Sequence, residues 1–127
     1  MKTFLGIEGR LASREVARVV LLPVPYDATA TFHRGARRAP EAILTASHHI
    51  EEWDEELERE PLEAGIHVAD PVALESEDPE AMVSQVEQRC APLLSEGKLV
   101  ITLGGDHSVA VGAARAHAAH HGDLTYL

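Results

Sequence analysis

The chain has 127 residues, 21 acidic side chains against 11 basic ones, a net charge of −10 and an apolar fraction of 45%. That suits one globular domain with its own core, not a disordered chain. The negative balance argues against a nucleic-acid partner, no apolar run reaches the roughly 20 residues of a membrane span, and a single cysteine, Cys90, rules out an internal disulfide.

The N-terminus, MKTFLGIEGRLASRE, starts like a signal peptide but lacks the sustained apolar stretch of one, which reads as a cytoplasmic protein in a reducing compartment. Ala17 to Pro23, ARVVLLP, is β-branched and leucine-rich and predicts a buried strand. The prolines of Pro23-Val24-Pro25 forbid its continuation as a central strand. The Thr- and Gly-rich stretch TATFHRGARRAP predicts a loop, and Pro40 suits the first turn of a following helix. Ile43, Ala46, Ile50 and Trp53 recur at three- and four-residue steps and predict that helix's apolar stripe. Much of the acidic charge lies in the run from Glu51 to Glu63, read as a solvated face.

Gly65 to Asp70 is a second short strand candidate. Asp78 is an N-cap with Pro79 at the first helical position, and Met82, Val86, Cys90 and Leu93 share one face of that helix. Pro92 is expected to kink or shorten it, and Gly97 to stop it. Lys98 to Leu103 predicts a third buried strand, followed by a tight turn at Gly104-Gly105-Asp106-His107-Ser108. Val109 to His121 predicts an alanine-rich helix stopped by Gly122, and Asp123 to Leu127 opens another strand. Alternating strands and helices predict a parallel sheet with helices on its faces, and Lys98 to Leu127 forms one right-handed βαβ unit. The sequence stops inside an apolar strand, so residues 1–127 are read as the N-terminal portion of a single longer domain. The strands at Val19 and Val100 are then expected to have open edges.

The turn after the third strand carries the strongest chemical signal. Two glycines let the backbone turn sharply and aim Asp106 and His107 across the carboxyl edge of the sheet. Histidine is the commonest side-chain ligand for borderline metals, so His107 is the candidate metal ligand. The alternative is a helix start in which Ser108 or Asp106 caps and His107 is merely exposed, since one histidine alone makes no metal site. A helix start after Gly-Gly could also hold an anion. Asp106 reads equally as a carboxylate supporting the metal ligand or as a turn residue. Asp27, also at a strand end, is expected to order the Gly35 loop. His117, His120 and His121 share a helix end, where they favour the dipole over a metal site. His48 and His49 read as surface residues, Cys90 as a buried small hydrophobe, and Trp53 and Met82 as core.

Leu103-Gly104-Gly105-Asp106-His107-Ser108, followed by a helix with Gly112, resembles the first metal-binding motif of the ureohydrolases. The earlier PVPYDATATFHRGARRAPEAILTAS, Pro23 to Ser47, is similar to their N-terminal loop and helix, and Ile50 to Leu57 looks most like the agmatinase branch. The resemblance covers Val19 to Leu127. It departs at His33-Arg34, where agmatinases often have Arg-Pro, and at Ala39, where glycine usually precedes the proline. Both changes fall in a loop near the family's substrate mouth, so they bear on which guanidine is taken.

The resemblance implies an α/β fold, a three-layer α/β/α sandwich with a mainly parallel sheet, incomplete in this chain. It implies hydrolysis of a linear guanidine, most readily agmatine to putrescine and urea, by two manganese ions that activate a water. His107 would be one ligand, and the family's Asp-Ala-His-x-Asp motif would begin at or beyond residue 128. No catalytic residue is then expected within residues 1–127, which alone would be inactive. Homo-oligomers are implied, with a small guanidino molecule as the only further partner. The alternatives are another guanidino substrate, or a silent relative that acts by binding or assembly.

Overall fold

The computed structural model describes residues 3–125. Three strands, β1 (Val19–Val24), β2 (Ile66–Val68) and β3 (Leu99–Gly104), form one parallel sheet in the order β2-β1-β3. β1 is the central strand. It pairs with β2 from Val19↔Ile66 to Leu21↔Val68, and with β3 from Val19↔Leu99 to Val24↔Gly104. The predicted parallel sheet is therefore present, with one part of the expectation reversed: Pro23 lies within the central strand. Leu21 and Pro23 accept hydrogen bonds from Ala69 and Val72, on the β2 side. β2 has already ended at Val68 at that level, so the missing N–H of Pro23 faces no paired strand.

The period-two alternation of β1 splits the core. Val20, Leu22 and Val24 pack against α2 (Pro79–Ser95) and α3 (Val109–His121), while Leu21 packs with Leu44 of α1 (Ala39–Ala46) and Val68 on the other face. Helices on both faces make three layers. Burying each Leu or Val side chain contributes about 1.5–3 kcal/mol, so the face shared by α2, α3 and β1 holds most of the apolar stabilisation. There Gly112 lets α3 approach α2: an added Cβ would lie 2.5 Å from the Val83 carbonyl oxygen.

α2 begins as expected, with the Asp78 carboxylate accepting the Ala81 N–H at 2.8 Å, and buries Met82, Val86, Cys90 and Leu93. Pro92 does not shorten it. The helix runs on to Ser95, because Pro92 is on the solvent side and the carbonyl it leaves without a donor belongs to exposed Gln88. Gly97, at φ +73°, ends it.

The predicted stripe of the first helix is out of phase. α1 ends at Ala46, and its buried positions are Pro40 and Leu44, followed by Ser47. Ile43, Ile50 and Trp53 are exposed, so Trp53 is not a core residue. Beyond Ala46 the helical period no longer applies. The Asp54 carboxylate instead accepts the N–H groups of Glu56 and Leu57, and Asp54 bridges to Arg59. This acidic stretch is solvated as expected and leads into the amino end of β2.

The predicted last strand is not formed over Asp123 to Thr125, and Tyr126 and Leu127 lie outside the described residues. Among the described residues no helix is long and apolar enough to cross a membrane. β1 is paired on both sides, so the open edge expected at Val19 is absent. Among the described residues β3 is paired on one side only, and Leu99 (59% exposed) and Ile101 (43%) stand uncovered. Residues 1–127 expressed alone should therefore self-associate, and Ile101→Lys should lower the apparent mass in sedimentation at equal concentration. A monodisperse monomer with a sharp, reversible thermal transition would contradict this.

Candidate functional site

Parallel strands put the outgoing ends of β1 and β3 side by side, which is where open α/β sheets carry their chemistry. The turn after β3 lies directly on the turn after β1. The Asp106 N–H donates to the Tyr26 carbonyl at 2.8 Å, and a Cβ built on Gly105 would fall 1.8 Å from that oxygen. Only glycine allows the two turns to lie this close. Tyr26 is itself fixed by a buried ring and by its hydroxyl, which donates to the Glu77 carbonyl at 2.8 Å.

Asp106 ties the two turns together with its side chain. One carboxylate oxygen accepts the Ser108 N–H (3.1 Å) and hydroxyl (2.5 Å). The other accepts the N–H (3.0 Å) and hydroxyl (2.7 Å) of Thr29. Burial pushes this carboxyl up, but the bonds from Ser108 and Thr29 outweigh it and hold it below its ordinary range. Four donors occupy both oxygens, so Asp106 acts here as a turn residue that positions its neighbours. Ser108 makes no side-chain cap to α3; its hydroxyl is spent on Asp106.

His107 follows directly and is exposed at the carboxyl end of β3. Its ring makes no hydrogen bond to any described residue. An exposed imidazole with both nitrogens free, on a turn pinned on either side, suits a metal ligand. It is only one ligand: among the described residues no group of three or more histidine, cysteine or carboxylate side chains could hold a metal ion. The remaining ligands would come from beyond these residues.

Asp27 does what its position predicted. It is fully buried; one oxygen accepts the N–H groups of Gly35 (2.7 Å) and Arg37 (3.2 Å), and the other accepts Arg37 Nε at 2.6 Å. Burial raises its pKa, and the bonds from Gly35 and Arg37 more than reverse that, leaving it lowered. A depressed carboxyl adds stability that is complete above its unfolded value, near pH 4, and is lost as pH falls through the folded value. Asp27→Asn should therefore flatten the acid limb of stability below about pH 4, besides weakening the fold at neutral pH. Urea unfolding across that range would measure it, and parallel acid limbs in wild type and variant would contradict it.

Arg37 also reaches Glu77 (3.2 Å), as does Arg34 (2.7 Å). These contacts tie the 28–38 loop to the segment before α2. Thr29 and Glu77 were not legible as site residues: each lies far in sequence from its partner, and neither belongs to a motif. His117 and His121 sit with ring centres 5.9 Å apart, and His117 Nδ1 lies 2.8 Å from the Ala113 carbonyl, a helix-end arrangement. His48 and His49 are exposed. Cys90 is fully buried and its thiol is pushed up to about 11 by that burial, so it is a neutral apolar group.

The chain is 45% identical to the N(1)-aminopropylagmatine ureohydrolase of Thermus thermophilus over 113 residues, which is 89% of this chain and 39% of that protein. It is 36% identical over 114 residues to the agmatinase of Neisseria meningitidis, covering 85% of this chain and 36% of that protein. In structure it matches the proclavaminate amidino hydrolase of Streptomyces clavuligerus with a TM-score of 0.83 and 27% identity, over 98% of this chain and 41% of that one. The chain thus spans about two fifths of the length of these relatives. The arginase-family model matches residues 17–127, which includes everything from the start of β1 onward. The chain belongs to the arginase family.

Proposed function

We propose that the whole protein hydrolyses a linear guanidine, releasing urea and an amine, with agmatine as the first substrate to test. The observation that carries this is the exposed, unpartnered imidazole of His107, held by the Asp106 and Gly105 contacts at the carboxyl edge of a parallel sheet. A guanidinium is resonance-stabilised and a poor electrophile. Two manganese ions would supply the activation of a water that its hydrolysis needs. His107 would hold one of them through a ring nitrogen, with Asp106 fixing the turn that presents it. A carboxylate from the rest of the protein would pass a proton to the leaving amine.

A second substrate has a specific observation in its favour. The Thermus relative named for N(1)-aminopropylagmatine is more similar to this chain than the Neisseria agmatinase is. The reading also carries homo-oligomeric assembly and a cytoplasmic location.

The test is urea release by the manganese-loaded whole protein from agmatine and N(1)-aminopropylagmatine in parallel. Release from either supports guanidine hydrolysis, and the ratio of the two kcat/KM values assigns the substrate. No release from any guanidine would favour a silent relative. Residues 1–127 alone should release none from agmatine with manganese, and release above the protein-free blank would count against this assignment of ligands.

A further inference from the structure

Phe32 is 88% exposed, the most exposed of the large apolar side chains among the described residues. It is not on a floppy segment. Upstream, Thr29 is tied to Asp106 through both its N–H and its hydroxyl; downstream, Gly35 and Arg37 are tied to buried Asp27. The His33 ring packs against Phe32 in an edge-type contact, with ring centres 4.2 Å apart at 61°. A pinned loop that holds an aromatic ring in water forgoes the free energy of burying it, and exposed apolar groups held in this way mark binding surfaces.

The ring lies on an open groove of about 600 Å³. Thr29 to His33 line one side, and Asp106, His107 and Ser108 line the other. Agmatine with its guanidinium at His107 would lay its alkyl chain, which ends in an ammonium group, along such a groove. Among the described residues the groove offers that ammonium no free carboxylate. Asp106 is its sole carboxylate and has four donors already. Glu77, behind the loop, is taken by Arg34 and Arg37. What remains is the face of Phe32, whose quadrupole attracts a cation and whose carbons pack against methylenes.

We infer that Phe32 is a specificity-determining residue whose ring receives the alkylammonium arm of the guanidine substrate. This rests on the functional reading above. The manganese-loaded whole protein with Phe32→Ala should lose about 5- to 30-fold in kcat/KM for agmatine, the size expected of a partly desolvated cation–π contact, with the loss in KM rather than kcat. Phe32→Leu keeps apolar contact but no quadrupole and should recover part of it; Phe32→Tyr should recover most. With n-butylguanidine, which has the chain but no terminal ammonium, wild type and Phe32→Leu should be nearly equal.

An active wild type whose KM for agmatine is unmoved by Phe32→Ala overturns the inference alone. So does a parallel fall of kcat for both guanidines, which would make the residue a loop support. A wild type that releases urea from no guanidine overturns the functional reading and the inference with it.

Discussion

Gly105→Ala should destabilise the protein by more than about 3 kcal/mol, at or beyond the upper end of ordinary overpacking, and should abolish turnover in the whole protein. The added methyl would lie 1.8 Å from the Tyr26 carbonyl oxygen. That oxygen cannot swing aside, because it accepts the Asp106 N–H, and Tyr26 is held by its buried ring and its bond to Glu77. The two turns must therefore separate, and the Thr29–Asp106 contacts break with them. Gly97→Ala is the comparison. Gly97 has φ +73° and nothing within 4 Å of an added Cβ, so its cost is the left-handed backbone alone, about 1–2 kcal/mol. Gly105 is not among the positive-φ glycines, so its cost is contact alone. Urea denaturation of both variants separates the two causes. A Gly105→Ala protein no less stable than Gly97→Ala would mean that the turns are not in contact.

The elements that were legible in the sequence owe their form to local chemistry. Asp78-Pro79 starts α2 because a carboxylate and a proline satisfy a helix end within three residues, and Gly97 and Gly122 stop helices by backbone freedom. β1 and β3 are legible because each is a short, continuous β-branched and leucine-rich run bounded by proline or glycine. The misreadings at Pro23, Pro92 and the first helix come from position in the fold. Pro23 is tolerated in the central strand because its neighbour is already finished, and Pro92 because it is on the solvent side. Ile43 and Trp53 follow a helical period, but Leu44 is what meets Leu21 and Val68, and no sequence period reveals that phase.

The site divides in the same way. His107 and Asp106 are adjacent on a glycine turn and could be found by motif, whereas the Thr29–Asp106 tie spans 77 residues. Asp27 was readable because its partners lie only 8 and 10 residues away. Phe32 was passed over as an ordinary loop residue, since exposure is a property of the fold and not of the sequence.

His107→Ala in the whole protein should lower turnover by at least about 100-fold, beyond the 10–100-fold typical of losing a group that merely orients a ligand, while KM for agmatine changes much less. Metal content should fall toward one ion per subunit, because the ring nitrogen is lost from one ion and the second would be held by groups elsewhere. His117→Ala is the control. His117 sits on α3 with its Nδ1 against the Ala113 carbonyl, an interaction worth at most a few tenths to about 1 kcal/mol at a helix end, and turnover should stay within twofold. Elemental analysis and steady-state kinetics on the same preparations decide the matter. If His107→Ala kept two metals and wild-type turnover, the Gly104–Ser108 segment would be a turn that serves packing alone. If both variants lost activity and metal equally, the helix-end histidines would belong to the centre. The expected asymmetry follows from placement: His107 leaves the carboxyl end of a paired parallel strand on a turn held at both neighbours, with its own ring left unengaged, whereas His117 already has a partner within its own helix.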